Sequence, residues 1–194
     1  MKHDEFLDLS GISRDSQGVS FDTHCLLHPD LIAFAKDWLN ATSKPSLILQ
    51  GVPGSGKTFF SIALLQELWK QLQPNPFIIF KMGTRLDAEL LDAMLGKSSC
   101  SAADIIRTCS ESRALFIDDF GLERSSERVQ RQYFDVLNPR ITQNRVTVVS
   151  TNCSMRELRD KFGERIYSRL KGFKLVKFPE VDLREGLQAK RSQS

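Results

Sequence analysis

The chain has little that would tie it to a membrane, a metal site or an oxidising compartment. No apolar run approaches the roughly 18 residues needed to span a bilayer. The opening MKHDEFLDLSG carries acids where a secretory signal would have basic residues and then an apolar stretch. Cytoplasmic residence without membrane contact is therefore expected. Cysteine is scarce: Cys25, Cys100, Cys109 and Cys153 fit no zinc or dithiol spacing, and His3, His24 and His28 form no ligand cluster. Free thiols in a reducing compartment are expected. Charge of one sign is also scarce, since 27 Lys+Arg against 24 Asp+Glu leave +3. The distribution is less even: residues 1–40 hold three basic and seven acidic side chains, −4, so the remainder (24 minus 17) is +7. There is no internal repeat and no low-complexity linker. With 194 residues, 41% hydrophobic and 26% charged, the chain reads as one globular domain.

Residues 1–20 are polar and aperiodic and read as a flexible N-terminal arm; residues 21–178 read as the folded domain and 179–194 as a polar tail. Within the domain, short apolar runs alternate with helical periodicity. Strands are predicted at SLILQ (46–50), PFIIFKM (76–82), ALFID (114–118), VTVVST (146–151) and KLVKF (174–178). Helices are predicted from Pro29 to Asn40, over 59–72, from a Thr84/Asp87 start to Gly96, and from Ser101 to about Ser110. Another runs from Ser125 to Asn138, where Pro139 interrupts it. Two more lie between the last two strands: one opened by a Ser154/Glu157 capping box and running to Phe162, and one over Glu164–Leu170. Alternation of this kind implies an α/β domain, a mostly parallel sheet covered on both faces.

Between the first strand and its helix stands Gly51-Val52-Pro53-Gly54-Ser55-Gly56-Lys57-Thr58, a match to the phosphate-loop pattern G-x-x-x-x-G-K-[ST]. A shuffled chain of this composition would contain it once in about 200 tries. The glycines let backbone N–H groups curve round phosphate oxygens, and the following helix presents unpaired N–H groups to the same anion. Lys57 would place its charge on the β/γ oxygens, and the Thr58 hydroxyl would reach Mg²⁺. Gly51, Pro53, Gly54, Ser55, Gly56, Lys57, Thr58 and Phe59 are the candidate nucleotide contacts. The bland alternative is a glycine-rich turn with an exposed lysine.

Asp118 and Asp119 close the third strand, at the strand end where open parallel sheets bind ligands. Asp118 would hold Mg²⁺ and Asp119 would orient or deprotonate the attacking water; a solvated acidic loop is the alternative. Asn152 follows the fourth strand and could bond both a γ-phosphate and the water, although asparagine is also a common turn residue. Arg165 and Arg169 lie one turn apart on one helix face. Either could stabilise transition-state charge on a neighbour's γ-phosphate, Arg169 being favoured, or pair with a surface acid such as Glu164.

Taken in order, GVPGSGKT, LFIDDFGLE, LNPRITQNRVTVVSTN and GERIYSRL resemble the AAA+ ATPases of the DnaC/IstB group, bacterial replicative-helicase loaders and transposition helper ATPases. The resemblance covers about Phe21 to Phe178. It implies a P-loop NTPase core of five parallel strands in the order 5-1-4-3-2, without a full helical lid. It implies Walker A at Gly51–Thr58, Walker B at Asp118 and Asp119, sensor 1 at Asn152, and a trans-acting arginine at Arg169 helped by Arg165. ATP/ADP and Mg²⁺ are the implied cofactors. The implied partners are further copies of the chain, single-stranded DNA, and a replicative helicase or other DNA-processing protein. Asp119 stands where many AAA+ ATPases have Glu, which implies slow turnover.

Basic residues suggest two places for DNA. Arg156, Arg159, Lys161, Arg165, Arg169, Lys171, Lys174 and Lys177 form one group, and Arg124, Arg128, Arg131, Arg140 and Arg145 another; such clusters attract phosphates. Lys81, Arg85, Lys97 and Arg107 are candidates around the helices after the second strand, which lack an aromatic for base stacking. Two other functions stay open: a non-hydrolysing, nucleotide-gated interaction module and a small-molecule kinase.

Overall fold

Every central strand is apolar on both faces, and that dictates three layers. In the computed structural model, which describes residues 12, 18–21, 27–74 and 77–183, the strands are β1 (Leu47–Gln50), β2 (Ile78–Met82), β3 (Ala114–Asp118), β4 (Val146–Thr151) and β5 (Lys174–Lys177). Successive side chains point to opposite faces, and the burial follows that rule. Leu47, Leu49, Ile78, Phe80, Ala114, Phe116 and Val148 enter one core. Ile48, Ile79, Leu115, Ile117 and Val149 enter the other. Helices α1 (Pro29–Asn40) and α2 (Lys57–Gln71) cover the first face. Helices α3 (Gly83–Met94), α4 (Ala102–Glu111), α5 (Glu127–Thr142) and α6 (Met155–Leu170) cover the second.

The sheet order is β2-β3-β4-β1-β5, which is the expected 5-1-4-3-2 read from the other edge, and every pairing is parallel. Parallel register aligns Gln50 with Thr151 and Lys177, and Met82 with Asp118. The loops after all five strands therefore open on one edge. No helix among the described residues is long and apolar enough to cross a membrane.

Three local expectations change. First, α5 does not stop before Pro139 but runs to Thr142. The proline removes one helical N–H, and the next residue offsets the loss. Arg140, completely buried, donates to Thr147 Oγ1, to the carbonyls of Cys109, Ser112 and Val146, and to Ser112 Oγ, pinning the final turn to α4 and β4. Arg140 consequently leaves the list of surface cations that could meet DNA. Second, α3 begins at Gly83, directly off β2, with no side-chain cap, rather than at Thr84. Third, Ile12 and Val19, inside the segment read as an arm, are buried in the first core. Apart from Gly18 and Ser20 the remainder of that arm, and residues 184–194 of the expected polar tail, lie outside the described residues. The break between two helices expected near Phe162 is present inside α6: Gly163 has φ +78 and ψ 171, a backbone that L side chains rarely adopt.

Candidate nucleotide-binding site

The loop 51–56 leaves β1 and is held from both sides. Gly51 N–H donates to Thr151 O at 3.3 Å, and Phe178 N–H donates to Gln50 O at 2.7 Å. A Cβ at Gly51 would lie 2.7 Å from the Phe178 Cβ, so β5 can pass only because this residue is glycine. Gly54 and Gly56 have φ +79 and +93, and Gly56 is the N-cap of α2 without any side-chain hydrogen bond. The first-turn N–H groups of α2 are thus aimed out of the helix toward the loop. Lys57 Nζ folds back onto Gly51 O (2.9 Å), Val52 O (2.8 Å) and Ser55 Oγ (3.4 Å), which holds the ammonium at the centre of the loop. Pro53 is exposed. The Phe59 ring packs against the apolar core, so its contribution to an anion is its backbone N–H.

Thr58 and Asp118, 60 residues apart, meet: Thr58 Oγ1 donates to Asp118 Oδ2 at 2.8 Å. Ser150 Oγ on β4 donates to the other carboxylate oxygen. Asp118 is 3% exposed, and burial pushes its carboxyl above the usual range, against the hydrogen bonds from Ser150 and Thr58. A hydroxyl beside a buried carboxylate is a hard oxygen pair suited to Mg²⁺. Among the described residues no group of three or more His, Cys, Asp or Glu could hold a metal alone, so the cation would share phosphate oxygens. That chemistry fits Thr58 and Asp118, and a bound cation would favour the ionised Asp118.

Asp119 adopts a left-handed backbone, φ +54, and its N–H donates to Ser150 Oγ at 3.0 Å. The turn carries its carboxylate off the strand's alternation. Asn152 directly follows β4, the strand lying between those of Asp118 and the phosphate loop. Its Oδ1 is buried and accepts no hydrogen bond, a costly state unless a ligand or water completes it. Gln50 Nε2 donates to Cys153 O at 2.8 Å, tying the loop after Asn152 to the strand that feeds the phosphate loop.

Arg165 and Arg169 are not part of this cluster. The Phe134 ring on α5 lies 4.2 Å from the Arg165 guanidinium carbon and 5.0 Å from that of Arg169. Arg169 also donates to Asn138 Oδ1 from Nη2 and Nε, at 2.9 and 3.2 Å. Among the described residues neither arginine forms an ion pair, and Glu164 is taken by Arg159 at 2.7 Å. Arg169 lines a cavity with Ser46, Val146, Gly172 and Phe173, at the edge where β1, β4 and β5 begin. The phosphate loop is at the opposite edge, about 20 Å away along the six residues of β4.

Several residues have roles that the sequence reading did not assign. Ser150 holds both aspartates, Asp118 by its carboxylate and Asp119 by its backbone N–H. Glu123, 3% exposed, accepts from Gly121 N–H at 2.7 Å and pairs with the Tyr133 hydroxyl at 2.6 Å. Leu27 and Leu183 flank Gly56, and Asp182 lies against Gly54, with Leu183 N–H donating to Gly54 O at 3.0 Å. The only sequence signal for any of these was the Glu at the end of DDFGLE.

A loop of this build, with hydroxyl, carboxylate and amide converging on it, is a Walker-type nucleotide site, and the profile of IstB-like ATP binding proteins matches residues 32–169. The chain belongs to the IstB-like ATP binding family. This IstB-like chain is 25% identical over 179 residues to the replicative helicase loader DnaC of Escherichia coli K12, covering 88% of the chain and 70% of that protein. It is 26% identical over 167 residues to the chromosomal replication initiator protein DnaA of Cereibacter sphaeroides, covering 84% of the chain but only 35% of the initiator. The chain thus spans about a third of the DnaA proteins it matches. Among solved structures it superposes on the replication initiator DnaA bound to AMPPCP and single-stranded DNA with TM-score 0.72 at 16% identity, covering 89% of the chain and 55% of that structure. The fold of this IstB-like protein is the AAA+ P-loop core.

Proposed function

We propose that this protein is a Mg²⁺-dependent ATPase that assembles in the presence of ATP and acts in DNA replication or DNA remodelling as a helicase-loader-like factor. One observation carries the reading. Arg169, which forms no ion pair among the described residues, lines a cavity at the sheet edge opposite its own phosphate loop, with Arg165 one helical turn away, so a triphosphate that meets it belongs to a second copy. Lys57, Thr58, Asp118, Asp119 and Asn152 then supply one half of the catalytic site and the arginines of the adjacent copy the other half. Asn152 Oδ1 would accept from the attacking water while its amide donates to the γ-phosphate. Asp119 would orient that water, and its side chain, one methylene shorter than Glu, is consistent with slow turnover.

Single-stranded DNA is the proposed nucleic-acid ligand, supported by the DnaA relative that binds it. Three of the four cations around α3 and α4 are engaged locally: Lys81 and Arg85 with Glu89, and Arg107 with Asp104. In the Arg156–Lys177 segment Arg159 is likewise paired with Glu164 and Arg165 and Arg169 are assigned to the triphosphate, so the exposed Arg156, Lys171 and Lys177 are the favoured phosphate contacts. The test has two arms. Lys57→Ala should abolish binding of a fluorescent ATP analogue, whereas Arg169→Ala should bind it normally and hydrolyse ATP on the order of 10³-fold more slowly. A labelled single strand titrated with ATP present should bind more weakly as salt rises. Nucleotide binding with no hydrolysis by the wild type would move the assignment to a nucleotide-gated interaction module.

A further inference from the structure

We propose that Phe134 is a positioning residue for catalysis in trans: its ring, with Asn138 beside it, holds Arg165 and Arg169 as a preset pair for the polyphosphate of a second copy of this chain. The inference rests on the reading of Arg169 as the trans-acting group. A free arginine on a surface helix samples many rotamers, and freezing it when subunits meet would oppose assembly. Here that ordering is done beforehand. The two guanidinium carbons lie 4.2 and 5.0 Å from one ring centroid, within the range where a cation is attracted to an aromatic face.

The arrangement places two like charges against one ring, and Arg165 shares its cavity with Glu127 and Asp135 without an ion pair to either. Among the described residues neither is ion-paired, and the nearest acid along the helix, Glu164, is turned to Arg159. Two guanidiniums on one ring without an ion pair among the described residues leave their charge for an incoming anion. A triphosphate, with several acceptor oxygens, suits a pair of planar forks better than a single carboxylate would. Asn138 Oδ1 accepts from both Nε and Nη2 of Arg169, which fixes the plane of that guanidinium and leaves Nη1 bonded only to Ser168 Oγ. The break at Gly163 starts the helical segment carrying both arginines afresh, aligned over α5. Phe134 itself is half-buried and packs against the second core, which anchors the ring.

Phe134→Leu retains apolar bulk and removes the aromatic face, and Phe134→Tyr keeps the ring. The expected result is that Phe134→Leu lowers kcat for ATP hydrolysis about fivefold, with affinity for a fluorescent ATP analogue unchanged, and that Phe134→Tyr recovers most of the rate. Asn138→Ala should act in the same sense. Adding Lys57→Ala protein, which has an intact arginine pair but no working phosphate loop, should raise hydrolysis by Phe134→Leu, because the lesion lies on the donating face. The proposal is overturned if Phe134→Leu turns over like the wild type, if it loses ATP affinity in step with rate, or if Lys57→Ala protein rescues Arg169→Ala but not Phe134→Leu. If Arg169→Ala itself hydrolyses ATP normally, the trans-arginine reading fails and this inference falls with it.

Discussion

Glu123 shows how a single buried acid can set the loop that follows Asp118 and Asp119. Its carboxylate sits between Gly121 N–H and the Tyr133 hydroxyl, and the hydroxyl is also 3.0 Å from Gly83 O. A phenol has one hydrogen. When Glu123 is ionised the hydrogen goes to the carboxylate; when Glu123 is protonated the acid donates to the phenol oxygen and the phenol donates to Gly83 O. Burial pushes the Glu123 carboxyl up, against the hydrogen bonds from Tyr133 and the backbone. A raised native value means the folded state holds the proton more tightly than the unfolded chain does. That contribution is complete below the ordinary Glu range near pH 4.3 and is lost as pH rises through the native value. The stability margin of wild type over Glu123→Gln should therefore narrow as pH climbs from about 4, measured by urea unfolding of both proteins across pH. A margin that widens with pH would reject the assignment. Gly83 belongs to the same cluster: a Cβ there would sit 1.8 Å from Glu123 Oε1. That is why position 83, the first residue of α3, is glycine.

At the scale of elements, Arg140 is the residue that joins three. It is a buried cation with carbonyl and hydroxyl partners and no carboxylate, and burial pushes its guanidinium down to about 9, so it remains charged at neutral pH. Arg140→Met should lower unfolding stability by roughly 3 kcal/mol, because the carbonyls of Cys109, Ser112 and Val146 lose their donor. Denaturant unfolding measures this, and a change under 1 kcal/mol would mean that water replaces the guanidinium. The same residue explains the helix that continues past Pro139. Proline's local rule is readable in sequence; a long-range set of acceptors that outweighs it is not. The central strands, by contrast, were legible almost to the residue, because a strand buried on both faces is a continuous apolar run. The Ser154/Glu157 capping box was legible for a similar reason, since both of its hydrogen bonds lie within four residues.

At the scale of the whole molecule, the phosphate loop, Asp118 and Asn152 could be read from sequence because each motif follows directly on a strand, and parallel strands deliver their ends to one edge. The contacts of Arg165 and Arg169 could not. Glu164 is their neighbour along the chain, but Phe134 and Asn138 on another helix are their neighbours in space. Ser150 was hidden for the same reason: one residue in an apolar run, it acquires its role only when β4 lies beside β3 and its hydroxyl reaches Asp118. On the proposed reading, the site is divided between the two edges of one sheet and is complete only when copies stack head to tail. Equal amounts of Lys57→Ala and Arg169→Ala protein, each inactive alone, test that division most directly. Random heterologous pairing leaves about a quarter of interfaces with an intact loop facing an intact arginine, so the mixture should recover about a quarter of wild-type ATP hydrolysis. A mixture as inactive as its components, under conditions where the two proteins co-assemble, would contradict a site shared between copies.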